Sequence, residues 1–404
     1  VVILTVIGSF YGFENWRWKR AWVSYVESRH AAGLWLDGDD PMPPAEDNFA
    51  MIPLLSSLVG PEKNPKNGPR VLTPREFNVP AFYLWRTNDN PGVVQPFRGE
   101  RERLKPINLE ALQTYYRGGT NFPPDQIHQR SLDDYLAKLR TGETGANIVF
   151  PAGEKPQSPG ADVLLALSIY DEPIEQLIAA LYRPHARFQT NYDPSGITLR
   201  HLAMAKGILF VMRTRAVAHL DNDAPERALQ DVMNGYRIAL RFTEDPLLIG
   251  FLVRYACIEI NHHGLWEGLW HRSWSTTQLL RVQQLLSDIN YFEHFTECLK
   301  GERTMIGEMY VLEEMERKTM NKSRWHNPDR DFKRNYNRFM KWAPSGWFYS
   351  SALETGLFLD ELEGAAATNR SIIDFPVDAT RSGNWERHPS GRNYLAQIRY
   401  SNVD

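Results

Sequence analysis

DPLLIGFLVRYACIEINHHGLWEGLWHRSWS, residues Asp245 to Ser275, decides the fold class, because it reads as one long helix with a signal at each end. Pro246 suits the first helical position, where its missing N–H costs nothing, and Asp245 stands where a capping side chain belongs. Leu248, Leu252, Tyr255, His262, Trp266 and Leu269 recur near helical spacing, while Ile249, Val253, Ala256 and Ile260 widen the apolar stripe. A helix apolar over so wide an arc is expected to be buried on more than one side. The stretch therefore predicts the central helix of an all-α domain, with neighbours packed around it.

Helix signals repeat on both sides of it. Ser158 and Pro159 precede Ala161 to Ile169, and Asp171 and Pro173 precede Ile174 to Tyr182. Asp223 with Glu226 has the capping-box pattern before Ala228 to Leu240, and Ser275 with Gln278 repeats it. Leu199 to Leu220 and Tyr291 to roughly Met320 are long amphipathic runs, and a further helix is expected from Phe348 to Leu362. The pitch between Leu199 and Leu269 is about 46 residues, against roughly 34 for a tetratricopeptide unit. The expected body, residues 158–364, is thus an irregular array of antiparallel helical hairpins, tetratricopeptide-like without being one. Residues 365–404 read as a loop-rich tail in which Ile372, Ile373, Trp385 and Tyr394 to Ile398 dock back on the body.

The chain ahead of this body has a different character. Val1 to Phe13 is almost wholly apolar and is followed at once by Trp16, Arg17, Trp18, Lys19, Arg20 and Trp22. Tryptophans interleaved with basic side chains suit a membrane–water interface. About 13 apolar residues fall short of the roughly 20 that a spanning helix needs. The chain begins with Val, so the run is expected to be completed by residues before it, making residues 1–22 the C-terminal part of a transmembrane anchor and its interface. A buried first helix is the alternative, and no small-residue cleavage site follows that would mark a signal peptide. Residues 23–157 are expected to hold a linker helix and an irregular arm rich in Pro, Gly and Asn, with short helices at Leu109 to Tyr116 and Ser131 to Leu139.

The chemistry written in the chain is sparse. A hydrophobic fraction of 42% with 24% charged residues fits an ordinary globular body, and the net charge of -3 argues against nucleic acid as a partner. Cys257 and Cys298 stand far apart in helical patterns, so no disulfide framework or paired-thiol metal site is written. Glu259 and His262 have the Glu-x-x-His spacing of di-iron bundles, with His263 beside them, but such a site needs a second pair and two further carboxylates. The other Glu-x-x-His is Glu27 to His30, far away in sequence. No metal site and no cofactor are therefore assigned, and His262 and His263 read as a core and a boundary histidine. Arg183, His185 and Arg187, with Phe188 and Tyr192, follow a helix in a loop where they could receive an anion or a partner. The structural reading, bonds from these side chains to helix-end carbonyls, is favoured. No phosphate loop, His-Glu-x-x-His, nucleophile elbow or haem motif is present.

Glu14-Asn15-Trp16-Arg17 with Lys19-Arg20-Ala21-Trp22 resembles a family of membrane-anchored helical proteins of uncharacterised function, common in Verrucomicrobia and related Planctomycetes. Further stretches carry the same likeness: Asp47-Asn48-Phe49-Ala50 with Pro53, Leu112-Gln113 with Tyr115-Tyr116-Arg117, and Ala161 to Leu167. So do Arg183-Pro184-His185-Ala186-Arg187-Phe188 with Tyr192, Asp245-Pro246 through Leu252-Val253-Arg254, Leu265-Trp266-Glu267-Gly268-Leu269, Trp274-Ser275 and Gly301-Glu302-Arg303. Trp18 departs from a usual Gly, and His262 and His263 stand where the family has no expected histidines. The resemblance implies a single-pass protein of the bacterial inner membrane whose helical body faces the periplasm. Arg17, Lys19 and Arg20 on the body side run against the positive-inside tendency.

These features together lead us to expect a membrane-tethered, non-enzymatic structural or interaction subunit of a cell-envelope assembly, with membrane lipid and other envelope proteins as partners. The alternative is a periplasmic hydrolase or small-ligand-binding protein with a cleft between arm and body. That alternative calls for a deep pocket lined by several converging polar groups, with Glu259, His262, His185 or Arg187 among them.

Overall fold

In the computed structural model, which describes residues 2–35, 42–59, 106–118, 150–188, 199–242, 246–319 and 344–368, every regular element is helical apart from one isolated bridge between Asn48 and His185. In chain order the helices are α1 (Val2–Ala31), α2 (Leu109–Tyr116), α3 (Pro159–Leu167), α4 (Asp171–Ala179), α5 (Arg200–Asp221), α6 (Pro225–Arg241), α7 (Leu248–Trp270), α8 (Thr276–Ser287), α9 (Tyr291–Thr319) and α10 (Gly346–Thr368). Asp245, the Ser131 to Leu139 helix, and the docking expected of the 365–404 tail beyond Thr368 lie outside the described residues.

Helix α7 forms over the decisive stretch, but it is seated differently from the sequence reading. Its inward face is mostly small or polar: Gly250, Cys257, Asn261, Gly264 and Gly268 are buried, with Arg254, His263 and Glu267 and the one large apolar residue Ile258. A methyl group on Gly268 would fall 2.0 Å from the indole of Trp274, whose Nε1 donates to the Leu265 carbonyl at 2.8 Å. Small residues let α7 approach α5 and α6 closely, Val253, Ile260 and Leu265 pack against the core at its margin, and several large apolar residues are turned outward. Leu252 is 54% exposed, Tyr255 48%, Leu269 48% and Trp270 64%. The helix packs on α5, α6 and α9, but the expected burial of its apolar stripe is corrected at Leu252, Tyr255 and Leu269, because a stripe of large apolar residues marks a face without saying that this face docks. The start of the helix also differs. Pro246 precedes it by two residues, Leu247 is the extended N-cap, and the Leu248 amide donates to the Glu302 carboxylate of α9 at 3.2 Å.

The main core lies between α5, α6 and α7 and extends to both sides. Val163, Ala166, Ile208, Leu209, Val232 and Tyr236 are buried together with Phe49, Leu55 and Ile107 from the irregular segments and Leu112 from α2. The arm and α2 are thus built into the same core as the body, so residue 158 is no boundary of the packing. Ser158 Oγ accepts the Ala161 amide at 3.2 Å as the cap of α3. The Ser275 and Gln278 capping box is formed at α8. The Asp223 box is not: Asp223 sits at φ 52° in the turn that ends α5, Ala224 takes the N-cap position, and Glu226 instead meets Arg281 at 2.8 Å and Gln278 at 2.9 Å. Asp171 is the first residue of α4 rather than a cap.

Helices α1, α9 and α10 make a second, smaller core. Trp22 stacks on Tyr25 at 5.6 Å and meets Trp35 edge-on at 5.8 Å, with Ala352 of α10 beside them. Asn15 Oδ1 accepts the Gly346 amide at 2.8 Å, so α1 caps the start of α10. Helix α1 runs unbroken through residue 22, which removes the expected division between anchor and linker there. Trp22, buried to 6% exposure, is likewise no interface residue. Val2 to Phe10 and Phe13 are exposed along the projecting end of the same helix. No helix among the described residues is long and apolar enough to cross a membrane.

Candidate functional site

The residues with distinctive side chains collect at joints between segments. Gly301, Glu302 and Arg303 on α9 hold three of them in succession. A Cβ on Gly301 would lie 1.6 Å from the Pro246 carbonyl oxygen, so only glycine permits the chain entering α7 to cross here. Glu302 caps α7 through the Leu248 amide, and burial raises its carboxyl above the usual range. Arg303, fully buried at its side chain, donates to the Leu34 carbonyl at 2.9 Å, to Glu363 at 2.7 Å, and pairs with Asp360 at 2.9 Å. Burial alone would lower Arg303, but Glu363, Tyr25 and Asp360 hold it above its ordinary value. Tyr25 donates to Asp360 at 3.2 Å, and burial raises its phenol. One tripeptide therefore connects the body, the end of α1 and α10.

A second joint fastens the arm. Asn48 is wholly buried; its Oδ1 accepts the Ala50 and Arg187 amides at 3.1 and 3.0 Å, and its Nδ2 donates to the Arg187 carbonyl at 3.0 Å. The Phe49 amide donates to the His185 carbonyl at 2.7 Å, and the His185 amide to the Asp47 carbonyl at 3.0 Å. Arg183 Nη1 donates to the Ala45 and Asn48 carbonyls, both at 3.0 Å. Phe188 stacks on His201 and Phe242, and Phe49 meets Phe242 edge-on. The loop that sequence reading offered as a receiver of anions is the half of this clasp opposite Asp47 to Ala50. The His185 side chain remains exposed and Arg187 half-buried.

The histidines of α7 diverge. His262 Nδ1 lies 3.3 Å from Glu259 Oε1 on the outer face, and its ring meets Tyr236 edge-on. His263 points inward, 3.4 Å from Glu267, whose Oε1 accepts the Ile107 amide at 2.7 Å. Arg213 lies buried near by; burial pulls it down to about 10 against the field of Glu267. Glu267 thus fixes the arm a second time. Among the described residues no group of three metal-ligating side chains comes together, and Glu259 with His262 stands on the outer face of α7 whereas His185 and Arg187 belong to the arm clasp.

Sequence reading missed a titratable cluster on α4, α5 and α6. Arg215 donates to Asp171 and, at 3.3 Å, to Asp231, while His219 Nε2 lies 3.8 Å from Asp231. Burial raises Asp231 to about 6 despite Arg215, and burial with the Arg215 and Arg227 charges lowers His219 to about 4. The spacing of Arg215 and His219, one turn apart, was the available signal; Asp231 arrives from another helix. Burial also pushes Cys257 up to about 12 and Cys298 up to about 11, which keeps both thiols protonated and unreactive at neutral pH.

Protein-family models, curated proteins and solved structures yield no match to this chain. Over the described residues the coordinates define a helical protein in which buried polar side chains such as Asn48, Glu302 and Arg303 join segments.

Proposed function

We propose that this is a membrane-tethered, non-enzymatic interaction subunit of a bacterial envelope assembly, an array of antiparallel helical hairpins presented by an N-terminal membrane helix. The observation that carries the reading is the split environment of α1. From Glu14 onward it is built into the bundle with α9 and α10, whereas residues 2–10, 12 and 13 are exposed all round the helix, with Val2, Ile3, Leu4, Val6, Ile7, Phe10 and Phe13 filling a broad apolar arc. Side chains exposed all round suit lipid, which has no preferred direction, better than a single partner helix. Val2 to Phe13 rises about 17 Å, enough to enter a hydrocarbon core of about 30 Å without crossing it. Exposed Trp16, Arg17, Lys19 and Arg20 follow where headgroups would lie, with Arg20 over the Trp16 ring at 5.7 Å. Trp18 is half-buried and donates to Glu14 at 3.0 Å, beside this collar rather than in it.

The body, held by buried joints and inert thiols, supports a binding surface rather than a reaction centre. Extended helical arrays suit protein partners. In the family it resembles, the body would face the periplasm. The test is purification at native expression in mild detergent, with crosslinks mapped. The reading predicts a stoichiometric companion protein crosslinked to the helical body; a chain recovered without any other protein overturns it.

A further inference from the structure

The outward face of α7 carries a seam at alternating spacings of three and four: Leu252, Tyr255, Glu259, His262, Trp266 and Leu269. That is the a and d spacing of a coiled coil; Leu252, Tyr255, Glu259 and Leu269 are exposed on it, and His262 and Trp266 are half-buried. Glu259 is 54% exposed at its side chain and His262 35%, with Leu252, Tyr255 and Leu269 open as described above. The seam also reads the same in both directions. About a centre between Ile260 and Asn261, leucine mirrors leucine, tyrosine mirrors tryptophan, and glutamate mirrors histidine.

We propose that this seam is the contact between two copies of the chain, paired antiparallel along α7. In an antiparallel pair the a position of one helix meets the d position of the other. Leu252 then faces Leu269 of the second copy, Tyr255 faces Trp266, and Glu259 faces His262, each contact made twice by the two-fold symmetry. The charge pattern selects this arrangement. Parallel pairing would set Glu259 against Glu259 and His262 against His262, whereas antiparallel pairing sets acid against base at the centre and apolar against apolar outside it. The seam runs about 26 Å, short for free peptides, but α7 is already held helical by the body, so pairing need not supply the cost of forming the helix. Exposed Ile249 and Trp270 stand beside its two ends to widen the contact. The proposal is independent of the membrane reading, since it rests on α7 alone.

The test is sedimentation equilibrium of the full chain in mild detergent at micromolar concentration. A dimer is expected. Glu259→Arg, at an exposed position, should weaken it by about tenfold or more by setting a cation against His262. The exchange Glu259→His with His262→Glu should restore it, because each acid still meets a base. Leu252→Cys with Leu269→Cys should link the two copies through a short bis-maleimide, while Leu252→Cys alone should not. A monomeric parent chain, an exchange variant as weak as Glu259→Arg, or efficient linking through Leu252→Cys alone would each overturn the proposal.

Discussion

Single atoms decide several joints of this molecule, and the sharpest case is Gly301. Gly301→Ala forces a methyl group onto the Pro246 carbonyl and pulls Glu302 from the α7 amide, so we expect a loss of about 3 kcal/mol by urea unfolding, with both helical cores loosened. The glycine was visible in the Gly-Glu-Arg stretch, but its reason was not, since Pro246 is a remote residue. The same holds for Arg303 and Asn48, whose partners lie far away in sequence. Titration at Asp231 and His219 makes opposite demands. Asp231 is raised from 3.8 to about 6, so its contribution is present at low pH and is lost as pH rises through 6. His219 is lowered from 6.5 to about 4, so its contribution is present above 6.5 and lost as pH falls toward 4. Between pH 6 and 4.5 the two largely cancel in the parent protein. Relative to the parent, acidification over that range should therefore favour His219→Gln and disfavour Asp231→Asn, each by about 1 to 2 kcal/mol after allowance for solvent screening. Denaturant unfolding at the two pH values measures both; parallel shifts in the two variants would contradict the assignment.

Among the elements, the ones with local signals were the legible ones. The α8 capping box and the Ser158 cap form as their spacings require, because each is closed within one turn of chain. The Asp223 box fails because the preceding helix claims Asp223 for its own ending turn. For α7 the periodicity of large apolar residues was plain, yet the docked face is the one with glycines and a cysteine, since close helix approach needs small side chains. The arm was legible only as irregular chain; what binds it, Asn48 on the 183–188 loop and Glu267 on Ile107, depends on pairs that no spacing reveals. Asn48→Ala leaves the Arg187 and Ala50 amides and the Arg187 carbonyl without their bonds, and should cost about 3 kcal/mol locally. Hydrogen exchange should then rise in residues 42–59 and 183–188 while α5 and α6 stay protected. Equal loosening of α5 and α6 would show that the arm is inseparable from the core.

At the scale of the whole molecule, two cores are joined through α9: one built around α5, α6 and α7, the other around α1 and α10. The basic and aromatic collar was legible as a run, but not its division. Trp22 turns into the bundle, whereas Trp16 stays outside, and that choice depends on where Trp35 and Gly307 come to lie. The central claim is that residues before Glu14 enter lipid, while the helix from Glu14 onward is built into the fold and carries the headgroup collar of Trp16, Arg17, Lys19 and Arg20. The direct measurement is flotation with zwitterionic vesicles, which leave the retained basic collar no anionic lipid to bind, of the full chain and of the chain lacking residues 1–13, with helicity and thermal unfolding followed on both. The account predicts that the full chain floats, and that the shortened chain stays in the aqueous fraction, folded, with an unchanged melting transition. A shortened chain that still floats, or one that unfolds or aggregates, would contradict it.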